Sequence, residues 1–156
     1  MPKRQPNSKQ CFVCGVANPA GLKIHFYDNT PGEVIADYTV PVEYQGYPGI
    51  VHGGIVAAML DEISGRSHMS GGEQPRFMYT ARLEVRYRKH VPVGKPLRLV
   101  GKAGKKRSKL ATASAAIYDA EGVLLAESEA LLVEVSSEVW NNVDLELLGW
   151  KVYEEP

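Results

Sequence analysis

His52-Gly53-Gly54, with Asp61 nine positions after the histidine, brings together residue types that acyl chemistry uses. The first turn of a helix exposes unpaired N–H groups at the positive end of its dipole. Two glycines there let a substrate oxygen approach without a Cβ in the way, which is how a protein polarises a carbonyl or holds an anion. A glycine pair alone also suits a plain loop-to-helix join. Asp61 lies two turns further along the same helix. A desolvated carboxylate at that point can act as general base or nucleophile, although most helical aspartates sit on solvated surface. Its neighbours are Ala57, Ala58 and Gly65 rather than Lys or Arg, and a solvated face has no need to be so small. Glu62 is the rival carboxylate, placed at the margin of the apolar arc.

Cys11-x-x-Cys14 has the spacing of half a zinc knuckle. His25 could supply a third ligand, and no fourth suggests itself. No βαβ context follows that would mark a redox pair. The two are read as small apolar residues in a packed loop, and neither a metal nor another cofactor is assigned.

The 18 basic and 18 acidic residues cancel to zero, but the signs are divided. Between Arg76 and Leu110 stand twelve basic residues and one acid, Glu84, a net +11, and the remainder carries −11. Lys102, Lys105, Lys106, Arg107 and Lys109 gather around a turn and suit scattered phosphates. Glu127, Glu129 and Glu134, on a strand close in sequence, could instead neutralise them across the sheet. The aromatic residues of the preceding strand alternate opposite the arginines. They read as core rather than as a base-stacking platform, so a nucleic-acid partner is not expected.

These residues need a scaffold, and 156 residues suffice for one domain with its own core. A composition of 44% hydrophobic and 23% charged residues excludes a disordered chain. Two cysteines exclude a disulfide scaffold. No apolar run approaches the roughly 20 residues of a membrane-crossing helix. The polar start MPKRQPNSKQ has no apolar stretch behind it, so a cytoplasmic location is expected. Residues 1–10 read as a flexible arm, 11–136 as the folded domain and 137–156 as a C-terminal helical extension. Residues 23–28 and 33–40 form a hairpin across Asn29-Thr30-Pro31-Gly32. A helix runs from Gly53 to Met69, with Gly71-Gly72 ending it. Ile55, Val56, Met59, Leu60 and Ile63 fall within an arc of about 140°. Then the period becomes two: Phe77, Tyr79, Ala81, Leu83, Val85 and Tyr87 define one apolar strand face. Strands follow at 96–104, 110–119 and 123–135. Trp140, Val143, Leu147 and Trp150 are spaced for a C-terminal helix. The order β-β-α-β-β-β-β predicts an α+β fold, one helix packed on an antiparallel sheet, with an exposed face or edge that favours a homo-oligomer.

The segment G-I-V-H-G-G-I-V-A-A-M-L-D-E, Gly49 to Glu62, resembles the helix-entry motif of hotdog-fold acyl-CoA thioesterases of the phenylacetate-pathway type. C-F-V-C-G-V-A-N-P-A-G-L (Cys11 to Leu22) resembles the N-terminal loop of a bacterial branch of that superfamily. T-A-R-L-E-V-R-Y (Thr80 to Tyr87) and E-G-V-L-L-A-E-S-E-A (Glu121 to Ala130) resemble its later strands. The resemblance covers about residues 11–135. It implies an antiparallel sheet wrapped around one long central helix, dimers joined edge to edge, and active sites at their interface. It implies that Asp61 is general base or nucleophile and that the Gly53 N–H polarises a thioester carbonyl. The Thr80 hydroxyl would come from the other subunit to place water, and His52 would line the pocket. Some relatives carry an Asn shortly before the histidine; here Gln45 is the nearest substitute.

The expected activity is hydrolysis of an acyl-CoA thioester, with coenzyme A as part of the substrate, by a homodimer or dimer of dimers with no membrane partner. Gly54 and Gln45 would contact the acyl end, and Lys105, Lys106 and Arg107 the phosphates. The rivals are a hotdog hydratase or dehydratase, a non-catalytic acyl-CoA binder, and a basic nucleic-acid module. A hydratase would need an Asp–His pair, and His68 lies about 10 Å from Asp61 along the helix axis.

Overall fold

Period-two runs on either side of one amphipathic helix give a single antiparallel sheet curled around that helix. The computed structural model describes residues 2–70 and 76–154. The strands are β1 (Lys3–Arg4), β2 (Tyr27–Thr30), β3 (Glu33–Thr39), β4 (Met78–Tyr87), β5 (Pro96–Arg107), β6 (Leu110–Tyr118) and β7 (Leu124–Glu134). Helix α1 spans Gly53–Ser67, and two single turns, α2 (Ser137–Trp140) and α3 (Leu145–Leu148), close the chain. The sheet order is β1-β2-β3-β5-β6-β7-β4, with every neighbouring pair antiparallel. Strand β4, which follows the helix directly, is therefore an edge strand.

The helix buries four of the five residues of the predicted stripe, Val56, Met59, Leu60 and Ile63, all at most 1% exposed, while Ile55 is half-buried against them. They pack on Ile24, Phe26, Val34, Leu97, Leu99 and Ile117 in one continuous core. Close approach needs a glycine on the sheet. A Cβ at Gly101 of β5 would stand 2.5 Å from the Ile63 carbonyl oxygen, so the missing side chain lets the helix lie down on the strand.

Four local expectations change. The arm read at residues 1–10 is docked from Lys3 to Lys9 in the structure. Lys3–Arg4 pair with β2, and Asn7 is 1% exposed with its amide donating to the Cys14 and Ile24 carbonyls at 2.7 and 3.0 Å. Helix α1 ends at Ser67 with His68 as C-cap; Gly71-Gly72 lie outside the described residues. The C-terminal segment is not one helix. Ser136 caps α2, Asp144 caps α3 and Gly149 ends it at φ 71°. The Trp140 and Trp150 spacing reflects a shared target instead, since both rings meet Phe77 edge-on, with centroids 4.2 and 5.2 Å away.

The fourth change matters most. The register of β4 on β7 slips between Thr80 and Arg82, leaving Ala81 as an extra residue. A bulge of this kind reverses the side-chain alternation. Met78 and Thr80 thereby join Leu83 and Val85 on the helix side, whereas Tyr79, expected in the apolar face, is 61% exposed.

Candidate active site

Helix α1 and the bulged strand β4 bring Asp61 and Thr80 together. The Thr80 hydroxyl donates to Asp61 Oδ1 at 2.5 Å. The resemblance implied a hydroxyl from a second subunit; here the two side chains belong to one chain, because the bulge turns Thr80 toward its own helix. They line a cleft of about 270 Å³ whose walls include Met69, Phe77, Met78 and Trp150.

At the start of α1 the backbone donors are distributed unequally. His52 is the N-cap. The Gly54 N–H donates to His52 Nδ1 at 2.9 Å, and the Ile55 and Val56 N–H groups donate to the His52 carbonyl. With Nδ1 accepting, the neutral ring carries its proton on Nε2. The Gly53 N–H is the one donor of this turn that meets no partner among the described residues, so Gly53 rather than Gly54 is available to a substrate oxygen. Gly54 serves the cap instead: a Cβ there would come 3.1 Å from Nδ1. The Gly53 carbonyl accepts from the Tyr87 hydroxyl at 2.7 Å. His52, Gly53 and Tyr87, with Tyr47, Ile50 and Val56, line an open groove of about 920 Å³.

Gln45 does not line that groove. Its Oε1 accepts from the Gly49 N–H at 3.1 Å, which braces the loop ahead of His52. Lys105, Lys106 and Arg107 lie at the β5–β6 hairpin and line neither hollow. Lys106 pairs with Glu134 at 2.9 Å, which lowers the Glu134 pKa. Lys105 and Arg107 have no ion pair among the described residues. The basic stretch is thus partly neutralised: Arg88 meets Glu127 at 3.3 Å, Arg98 meets Asp37 and Lys102 meets Glu33. Glu129 has no ion pair among the described residues.

Residues that sequence reasoning set aside also line the Asp61 cleft. Cys11, Cys14 and Glu62 present Sγ, Sγ and a carboxylate oxygen within 4.8 Å of one another. Glu62, one helix residue from Asp61, takes the place expected of His25, whose ring meets Arg4 at 2.7 Å. The Cys11 thiol is pushed up, first by its side-chain hydrogen bond with Cys14, then by burial and the Glu62 charge. Cys14 is drawn down by the same hydrogen bond, with the Arg66 charge helping against burial. Tyr87 was also missed as a site residue; its signal was strand parity, counted from the far side of the bulge.

A model of the thioesterase superfamily matches residues 48–126, a stretch that holds Gly53, Asp61 and Thr80. The chain belongs to that superfamily, and its antiparallel sheet around one main helix is the hotdog fold. Over 92 residues it is 27% identical to the acyl-coenzyme A thioesterase THEM4 of Rattus norvegicus, covering 58% of this chain and 38% of the rat protein. A thioesterase superfamily protein of known crystal structure shares 32% identity at a TM-score of 0.72, over 79% of this chain and 59% of that one. The chain thus spans less than two thirds of either relative. The Streptococcus mutans UA159 protein smu.793, solved bound to acetyl CoA, has the same fold at a TM-score of 0.65 and 19% identity, over 72% and 89% of the two chains.

Proposed function

We propose that this protein hydrolyses acyl-CoA thioesters, with Asp61 as general base. The observation that carries the reading is the Asp61–Thr80 hydrogen bond on the cleft wall. A water held by the pair loses its proton to Asp61 as its oxygen adds to the thioester carbonyl. The tetrahedral intermediate then expels the coenzyme A thiolate, which takes up the proton. Superfamily membership, the name of the rat relative and the acetyl CoA bound by smu.793 support this substrate class.

One chain does not complete the site. Gly53 and Asp61 are eight residues apart on α1, about 12 Å along the axis, too far to serve one carbonyl. We therefore assign the oxyanion donor to Gly53 of the partner subunit. The outer edge of β4 is free to pair in the described residues, as an edge-to-edge dimer requires. No helix among the described residues is long and apolar enough to cross a membrane.

The test is a thiol-release screen over short, long and aromatic acyl-CoAs, run beside an enoyl-CoA hydration assay. Turnover in the first and none in the second is expected; no thiol release from any acyl-CoA overturns the reading. A hydratase dyad finds no support in the geometry, because His68 Nε2 meets the Thr112 carbonyl at 2.8 Å rather than Asp61.

Two further outcomes are expected, the first from the same geometry and the second from the division of charge along the chain. Thr80→Ala lowers kcat by about 10²-fold with KM little changed, because the attacking water loses its second anchor. Thr80→Ser restores most of the loss, and an unchanged kcat in Thr80→Ala removes Thr80 from the mechanism. Reversing the charge of Lys105 and Arg107 together raises KM for acyl-CoA roughly five-fold at low salt, and the difference fades as salt rises. A KM that does not respond shows that these side chains do not meet the phosphates.

A further inference from the structure

Beyond that activity, we propose that Cys11, Cys14 and Glu62 form a binding site for a zinc-type divalent cation, with its fourth coordination position open to the Asp61 cleft. Two thiolates and a carboxylate are a donor set that zinc takes. With Zn–S near 2.3 Å and Zn–O near 2.0 Å, tetrahedral neighbours stand about 3.5 to 3.8 Å apart. Cys11 Sγ lies 3.8 Å from Glu62 Oε2, and all three donor atoms fall within 4.8 Å. Small side-chain movements close the set around an ion.

The surroundings are built as a metal loop is built. The Cys14 N–H donates to Cys11 Sγ at 3.5 Å, and the Gly15 N–H donates to the Cys11 carbonyl at 2.7 Å. A Cβ at Gly15 would stand 2.3 Å from that carbonyl oxygen, so the turn after the second cysteine requires glycine. Ser8 Oγ accepts the Cys11 N–H at 3.2 Å and lies 3.6 Å from Cys14 Sγ. Arg66 Nε holds Glu62 Oε1 at 3.0 Å, which leaves Oε2 to face the sulfurs. Outer partners of this kind orient metal ligands.

Charge points the same way. Two thiolates, a carboxylate and a divalent ion sum to −1. Arg66, 2% exposed, supplies the balancing charge, and its Nη2 is buried without a hydrogen-bond partner among the described residues. Binding releases the thiol protons to solvent. The ion ties the loop at residues 11–14 to helix α1 next to Asp61, and its open position faces the space into which the cleft admits a ligand.

The test uses full-length, tag-free protein, stripped with a chelator under reducing conditions and dialysed against Zn2+ or Co2+ alone. One equivalent per chain by elemental analysis is expected, with a thiolate-to-metal absorption band in the cobalt form. The Cys11→Ser/Cys14→Ser double variant loses the metal. Glu62→Gln, which keeps both thiols and the side-chain shape but replaces the anionic donor, measurably weakens affinity. Asp61→Asn retains the metal, so metal content reads independently of turnover. Wild-type protein that takes up no metal, a cobalt form without the thiolate band, or an intrachain Cys11–Cys14 disulfide that persists in place of metal overturns the proposal.

Discussion

Asp61→Asn lowers kcat/KM for acyl-CoA hydrolysis by about 10³-fold while the protein stays folded. Asparagine has the shape of aspartate, and its amide oxygen can still accept the Thr80 hydroxyl that now meets Oδ1 at 2.5 Å. The contact between α1 and β4 therefore survives, and the melting temperature shifts little. In the proposed mechanism, what disappears is the ability to take a proton from water as the carbonyl is attacked. General-base assistance accounts for about 10²- to 10⁴-fold in rate. The loss falls on kcat, because the Gly53 donor and the groove around His52 and Tyr87 are untouched. Steady-state kinetics over the acyl-CoA panel, with circular dichroism on the same sample, measure both. A variant that keeps more than about a tenth of wild-type kcat/KM shows that Asp61 is not the base.

Arg66→Ala destabilises the protein by about 3 kcal/mol, which lowers the melting temperature by about 6 to 12 °C. Arg66 is a buried cation at the end of α1, 2% exposed. It binds Glu62 at 3.0 Å, the Gln5 Oε1 at 3.2 Å and the Pro6 carbonyl at 2.9 Å. Its guanidinium lies over Phe26 at 4.4 Å and Trp150 at 5.3 Å. Alanine leaves Gln5 and Pro6 without this donor and opens a void between those two rings. It also frees Glu62, which sits beside the Cys11 thiol. Thermal and denaturant unfolding check the value. A change under about 1 kcal/mol shows that the N-terminal segment is held without Arg66. The same network helps to dock Gln5 and Pro6: the arginine that binds them sits some 60 positions away in sequence.

Much of the fold follows from patterns a few residues long. Helix α1 was legible from its apolar arc, because the 3.6-residue period declares which face is buried. β5, β6 and β7 were legible from alternation and from the turns between them. The His52-Gly53-Gly54 helix entry and the aspartate beyond it were legible from residue type and spacing. The C-terminal tryptophans were less so: their helical spacing arises from two rings packing on Phe77, which a one-dimensional period cannot distinguish from a helix.

Sequence alone determined the helix, its glycine entry, the placement of Asp61 on a small-residue face and the division of charge along the chain. Each depends on neighbours within a turn or two. Tertiary structure decided the partners. One bulged residue, Ala81, sets whether Thr80 faces Asp61 or solvent, and that slip is visible only against strand β7. The His52 ring takes the Gly54 N–H and leaves Gly53 as the available donor, a choice of side-chain rotamer. Cys11 meets Glu62 across 51 residues of chain because the N-terminal loop folds back over α1. Contacts between residues distant in sequence depend on how whole elements pack, and no local period encodes them.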